Sequence, residues 1–205
     1  NDGFSGEGNA ILKYPENLSS KEMYNWIHSN LYKAIVPVAK DLSIEMFLKK
    51  FELMEGIVEA FVEGGVKVSP SVQCRVNPKG EVDIISTHDQ VLSGEDGQVF
   101  VGAHFPADES YRSEIAAMSR SIAEVLKNEA VLGRFGIDFI SVKEKDGWKH
   151  YAIEINLRKG GTTHPFLMLQ FLTNGTYDEA SGVFETPNKQ QLFYFASDNV
   201  QNERY

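Results

Sequence analysis

Two short segments decide the reading: Gly136-Ile137-Asp138-Phe139 and Glu154-Ile155-Asn156-Leu157-Arg158, with Lys145-Asp146-Gly147 between them. Apolar and polar residues alternate on both sides, with Ile137 and Phe139 on the first and Ile153, Ile155 and Leu157 on the second. Alternation of this kind marks strands, and Asp-Gly between two strands marks a hairpin. A three-residue loop of Lys145, Asp146 and Gly147 pairs Glu144 with Trp148 and so Asp138 with Glu154. A two-residue Asp146-Gly147 turn would mix carboxylates with apolar side chains on one face. The apolar pattern therefore favours the first register. In it Ile137, Phe139, Ile153 and Ile155 share one face, and Asp138, Glu154, Asn156 and Arg158 share the other.

Carboxylates directly opposite one another repel, which weakens a strand pair unless a cation sits between them. Two acids and an amide oxygen form a hard-oxygen set. Such a set suits Mg²⁺ that keeps part of its water and also touches substrate phosphates. Arg158, always charged, would serve the phosphate end. The plain alternative is a solvated strand face with incidental charges.

These residues resemble the metal-binding end of the ATP-grasp superfamily of carboxylate–amine ligases. The continuation Gly160-Gly161-Thr162-Thr163-His164-Pro165 is similar to the subgroup that contains the pheganomycin peptide ligase. The same resemblance runs through Ser5-Gly6-Glu7-Gly8-Asn9, Pro70-Ser71-Val72-Gln73, Ser86-Thr87-His88-Asp89-Gln90 and Phe105-Pro106-Ala107-Asp108. It implies an α+β ATP-grasp fold fragment. A small glycine-loop lobe would span residues 1–58. A hinge and a larger antiparallel-sheet lobe would span 59–205, with a nucleotide cleft between the lobes.

The resemblance also implies roles. Ser5, Gly6, Glu7, Gly8 and Asn9 would cover the ATP phosphates. Ala60, Phe61 and Val62 would line the adenine, with Glu59 beside them and Glu63 near the ribose. Asp138, Glu154 and Asn156 would hold Mg²⁺, with Mn²⁺ as an alternative. Arg158 would be catalytic, and His88, Gly160, Gly161, Thr162 and Thr163 would bind substrate. The family's lysine on the strand before the glycine loop has no counterpart, because the chain begins at Asn1. Little turnover by this piece alone is expected, and a preceding N-terminal domain is expected as its partner. The implied substrates are a small-molecule or peptide carboxylate and an amine. A nucleotide-binding domain without turnover and a metal-dependent hydrolase stay open as rival readings.

Composition narrows the setting. The 205 residues carry a formal net charge of −9. An acidic surface argues against a nucleic-acid backbone as partner. No apolar run approaches the ~20 residues of a membrane helix. The one cysteine, Cys74, rules out an internal disulfide and fits a reducing, cytoplasmic setting. It reads as a buried small hydrophobe.

Other elements follow in order. Asn1–Asn9 is glycine-rich and turn-prone. Ala10–Tyr14 reads as a strand. Ser19 and Glu22 have capping-box spacing for a helix to about Lys33. A second helix is expected over Ser43–Phe51, and a short apolar strand over Ile57–Glu63. Ser69–Val76 and Gly80–Leu92 form antiparallel strands about Asn77-Pro78-Lys79-Gly80. On them Ser71, Gln73 and Arg75 share a face, as do His88 and Gln90. His88 is placed to titrate near neutrality. A turn at Gly94–Gly97 leads to a strand over Gln98–His104. The longest helix is expected over Ala107–Lys127, with Ile115, Met118, Ile122, Val125 and Leu126 as its stripe. Gly160–Thr163 opens a helix whose free N–H groups suit an anion. A last strand is expected over Gln191–Phe195, with a fraying tail from Asn199.

Overall fold

The computed structural model describes residues 8–39, 41–93 and 99–197. Ser5, Gly6 and Glu7, the Gly94–Gly97 turn and the tail from Asn199 lie outside the described residues. The chain divides into two units, 1–61 with 93–100, and 62–92 with 101–205.

In the first unit β1 (Ala10–Leu12) pairs antiparallel with β2 (Ile35–Pro37). Between them runs α1 (Ser20–Ala34), and α2 (Ile44–Met54) follows. Ser19 and Glu22 cap α1 reciprocally: the Ser19 N–H donates to Glu22 Oε2 at 2.9 Å, and the Glu22 N–H donates to Ser19 Oγ. That capping box satisfies two of the helix's free donors. Ser43 does the same for α2 through the Met46 N–H. Phe47 is the buried residue of α2.

The expected strand at Ile57–Glu63 is not formed. Residues 55–64 have no regular structure, and Ile57, Val58 and Phe61 are exposed. A short apolar run specifies no strand by itself; it needs a partner ladder, and here pairing begins only at Lys67.

The second unit is built on a six-stranded sheet. Its strands are β3 (Lys67–Val76), β4 (Val82–Ser93), β5 (Val99–Phe105), β6 (Gly133–Glu144), β7 (Gly147–Asn156) and β10 (Tyr194–Ser197), in the order β10-β5-β4-β3-β6-β7. A small pair, β8 (Thr176–Asp178) and β9 (Val183–Glu185), lies outside it. Helices α3 (Arg112–Asn128) and α4 (Thr163–Thr173) complete an α+β arrangement.

One core packs Val72, Cys74, Ile84, Phe135, Ile137 and Phe139 against Ile115, Ala116 and Ala123 of α3. Helix α3 starts five residues later than expected. Asp108 instead takes the Ser110 N–H and hydroxyl, and Tyr111 Oη donates to Asp89 at 2.6 Å. Its buried stripe is Ile115, Ala116, Ser119 and Ala123, small residues that let the helix approach the sheet, while Met118 and Val125 are exposed. The β6–β7 hairpin is tied to this helix by His150. Its Nδ1 meets Ser141 Oγ at 2.6 Å, and its Nε2 meets Glu114 at 3.2 Å. A second core gathers Phe105, Phe166 and Phe184, with Tyr177, Leu192 and Tyr194 around them.

The hairpin differs from expectation at its tip. The loop is two residues, Lys145 and Asp146, and Glu144 pairs with Gly147, not Trp148. Gly147 is the residue with positive φ there, +146°, which a glycine adopts without penalty. Phe139 then pairs with Ala152, and a bulge follows between Asp138 and Phe139. Beyond the bulge Asp138 faces Glu154, and Ile137 faces Ile155. Ile153 is the extra residue, and both Ile153 and Ile155 stay about two-fifths exposed, 41% and 44%, because β7 is the sheet's edge.

Phe105 sits at the centre of the second core, with ring centroids 5.0–5.9 Å from Phe166, Tyr177, Phe184 and Tyr194. Phe105→Ala should therefore cost about 3–5 kcal/mol in urea denaturation. A loss below about 1 kcal/mol would contradict this core.

Candidate cation and phosphate site

The ladder sets one row across the sheet. Ser71 pairs with His88 on one side and Asp138 on the other, and Asp138 pairs with Glu154. Directly opposed residues share a face. His88, Ser71, Asp138 and Glu154 thus lie along one line, on the side away from the α3 core. The next row adds Ser86, Gln73, Gly136 and Asn156.

Asp138 is half-buried. Asn156 Nδ2 donates to its Oδ2 at 2.9 Å, and Gln90 Nε2 donates to its Oδ1 at 3.0 Å. Burial, then the neighbouring Glu154 carboxylate, push the Asp138 pKa up to about 7, against the pull of Gln90 and Arg158. A carboxyl held this way is short of positive charge. The donors fit a divalent cation: two acids on facing positions, and Asn156, whose nitrogen is used by Asp138 and whose amide oxygen is a hard-oxygen ligand. Among the described residues no group of three or more His, Cys, Asp and Glu converges. The set here has two acids, so the amide is its third member. Arg158 is exposed just past β7, and its charge is felt at Asp138.

The other expected site residues stand as follows. Gly8 and Asn9 precede β1. Glu59, Ala60, Phe61, Val62 and Glu63 lie in the irregular segment, where Lys67 Nζ donates to the Val62 carbonyl at 3.0 Å. Gly160 and Gly161 lead into α4, with Thr162 and Thr163 buried at its start. Thr162 Oγ1 is buried without a partner.

His88 departs from expectation. It is fully buried, shares a 3.1 Å hydrogen bond with Tyr194 Oη through Nε2, and has no partner at Nδ1. Burial pushes its pKa down to about 3, so the ring is neutral near pH 7 and does not titrate there. Gln90 is the contact that the motif reading left without a role; its shared face with His88 was the available signal.

Two further features bear on chemistry. Ser141, His150 and Glu114 line up like a nucleophile, base and acid, but Ser141 has no exposure and sits on the α3 side. Burial pushes the Cys74 thiol up to about 12, which leaves it inert. A cavity of about 510 Å³ lies at the other end of the sheet, lined by His104, Phe105, Pro106, Phe193, Tyr194 and Phe195. The acid pair is not part of it.

Comparison with known proteins bears on the family. Residues 16–180 match the family model described as IQCH-like, ATP-grasp. The L-propargylglycine--L-glutamate ligase of Streptantibioticus cattleyicolor is 36% identical over 153 residues, 75% of this chain and 30% of that protein. Among solved structures, the N5-carboxyaminoimidazole synthetase of Staphylococcus aureus with ADP is 12% identical, over 86% of this chain and 46% of that one, with a TM-score of 0.46. A biotin carboxylase complex from Campylobacter jejuni is 18% identical, over 65% and 30%, with a TM-score of 0.47. The family match, over most of the chain, defines an ATP-grasp protein. The chain belongs to the IQCH-like ATP-grasp family. It spans less than a third of the curated ligase it matches. No helix among the described residues is long and apolar enough to cross a membrane.

Asp138 and His88 bend the pH dependence of stability in opposite directions. The folded Asp138 holds its proton from the unfolded value of 3.8 up to about 7, so stability falls as pH rises through that window. The folded His88 refuses a proton from 6.5 down to about 3, so stability falls as pH drops through that window. Each slope has a limit of about 1.4 kcal/mol per pH unit, and between pH 4 and 6.5 they offset each other. In metal-free urea denaturation, Asp138→Asn should expose a rise in stability with pH over this range. His88→Gln should expose a fall. An unchanged profile in both variants would contradict the assignments.

Proposed function

We propose that this chain supplies the nucleotide- and metal-binding part of an ATP- and Mg²⁺-dependent carboxylate–amine ligase. The observation that carries the reading is the Asp138–Glu154 pair, facing across β6 and β7 with Asn156 beside it. Mg²⁺ held by these three residues would neutralise charge on the phosphates as they react. By the family likeness, Ser5, Gly6, Glu7, Gly8 and Asn9 would give backbone N–H groups to phosphate oxygens. Glu59, Ala60, Phe61, Val62 and Glu63 take the adenosine.

The reaction runs in two steps. A carboxylate oxygen attacks the γ-phosphorus of ATP, the bond to the bridging oxygen breaks, and ADP leaves with an acyl phosphate behind. The amine then attacks the acyl carbon, the C–N bond forms, and phosphate departs with the electrons of the C–O bond as the amine sheds its proton. Arg158 stabilises the transferring phosphoryl group and the oxyanion of the second step. Gly160, Gly161, Thr162 and Thr163 bind the substrate acid at the start of α4, where the positive end of the helix dipole favours an anion. Thr162 Oγ1 has a hydrogen bond to give there.

The relative's name describes a bond between two amino acids. Amino acids as carboxylate and amine are therefore the first substrates to offer, and the cytoplasm, where a lone thiol stays reduced, is the setting.

In the full-length protein, phosphate release that depends on ATP, carboxylate and amine together, with amide formed in equal amount, is the expected result. Nucleotide binding with no amide under any pairing would favour a regulatory domain instead. Asp138→Asn and Glu154→Gln should each weaken Mg–ADP binding at least ~10-fold in calorimetry, and unchanged affinity would remove the cation site. Arg158→Ala should lower kcat about 100-fold or more with a smaller change in ATP affinity, and the reverse pattern would contradict its role.

A further inference from the structure

We infer that Gln90 is a positioning residue for the cation site: its amide reaches across an intervening strand and holds the Asp138 carboxylate in the orientation a divalent ion meets. The inference rests on the metal-site reading above.

The geometry is unusual for a strand residue. Gln90 is on β4 and Asp138 on β6, and these strands are not neighbours, because β3 lies between them. Neighbouring strands are about 4.8 Å apart, so the two backbones are separated by roughly 10 Å. Yet Gln90 Nε2 donates to Asp138 Oδ1 at 3.0 Å. Only a long arm spans that gap, and only if nothing on β3 stands in the way. Gln90 is opposite Ser69 and Asp138 is opposite Ser71. The path crosses two of the smallest polar side chains. A leucine or lysine at either serine would fill it.

The contact also constrains the acid. Asp138 Oδ2 receives the Asn156 amide at 2.9 Å and Oδ1 receives Gln90. One donor comes from β7 and the other from beyond β3, so the carboxylate plane is fixed from both sides. A carboxylate has about four lone-pair sites, more than the two amide donors occupy, and the side that meets Glu154 is where a cation would replace the proton the two acids share. An amide suits this task better than an ammonium would. A lysine at 90 would orient Asp138 as well, but it would cancel the negative charge that draws the metal. The amide orients and leaves the charge of both acids in place.

Mn²⁺ titrated in the presence of ADP and followed by EPR tests the role. Gln90→Leu should bind Mn²⁺ about 10–100-fold more weakly, the usual loss for a partner that orients a metal ligand. Its melting temperature in EDTA should stay within about 4 °C of the unsubstituted chain, since the loss of one partly buried hydrogen bond costs about 1 kcal/mol. Gln90→Asn carries the same amide on an arm one methylene shorter and should lose as much affinity as Gln90→Leu. Asp138→Asn is the control and should lose Mn²⁺ binding. Full Mn²⁺ affinity in Gln90→Leu or Gln90→Asn, with Asp138→Asn impaired, would overturn the positioning role and leave the cation site standing. A weakened Gln90→Leu that also melts well below the unsubstituted chain in EDTA would make Gln90 structural and overturn it too. No Mn²⁺ binding by the unsubstituted chain, or full binding by Asp138→Asn, would overturn the cation site itself.

Discussion

Two carboxylates are held face to face across neighbouring strands, and the local architecture serves that arrangement. Like charges opposite one another destabilise a strand pair. The chain accepts the cost through one inserted residue. From the hairpin tip the register would set Asp138 against Ile153 and turn Glu154 toward the α3 core. The bulge at Ile153 moves every later residue of β7 by one, so Glu154 and Asn156 join Asp138 on the open face. Bulges commonly re-aim side chains in this way near functional sites. Upstream of it, His150 anchors β7 to Ser141 and Glu114, so the tip and the bulge are held independently.

The two faces of the sheet have divided tasks. One is closed by α3 over a core of Val72, Cys74, Phe135, Ile137 and Phe139. The other changes character along its width. At the β5 and β10 end it is aromatic, with Phe105 between Phe166, Phe184 and Tyr194. Towards β7 it becomes polar, passing through His88, Ser71 and Asp138 to Glu154. His88 stands at the border, with one nitrogen tied to Tyr194 and the other buried without a partner. Such unsatisfied buried atoms are costly and tend to mark functional regions of a fold.

Much of this was legible in the residues. Alternation gave the paired strands, Ser19 and Glu22 gave the start of α1, and the motif residues gave the family. The facing of Asp138 and Glu154 was also legible, though by a different route: the apolar pattern demanded the pairing, and a bulge supplied the residue that a longer loop would have provided. What escaped notice was non-local. Nothing in Ile57–Glu63 says that no strand will lie beside it. Burial of His88 depends on Phe105 and Tyr194, one 17 and the other 106 positions away in the chain. The reach of Gln90 depends on the size of two serines on a third strand.

The account stands on a divalent ion lying between Asp138 and Glu154. The most direct measurement is anomalous diffraction from crystals grown with Mn²⁺ and ADP. A manganese peak bridging the two carboxylates, with Asn156 Oδ1 in its coordination sphere and nucleotide phosphate oxygens completing it, is the predicted result. A peak elsewhere, or nucleotide bound while Asp138 and Glu154 simply share a proton, would contradict it.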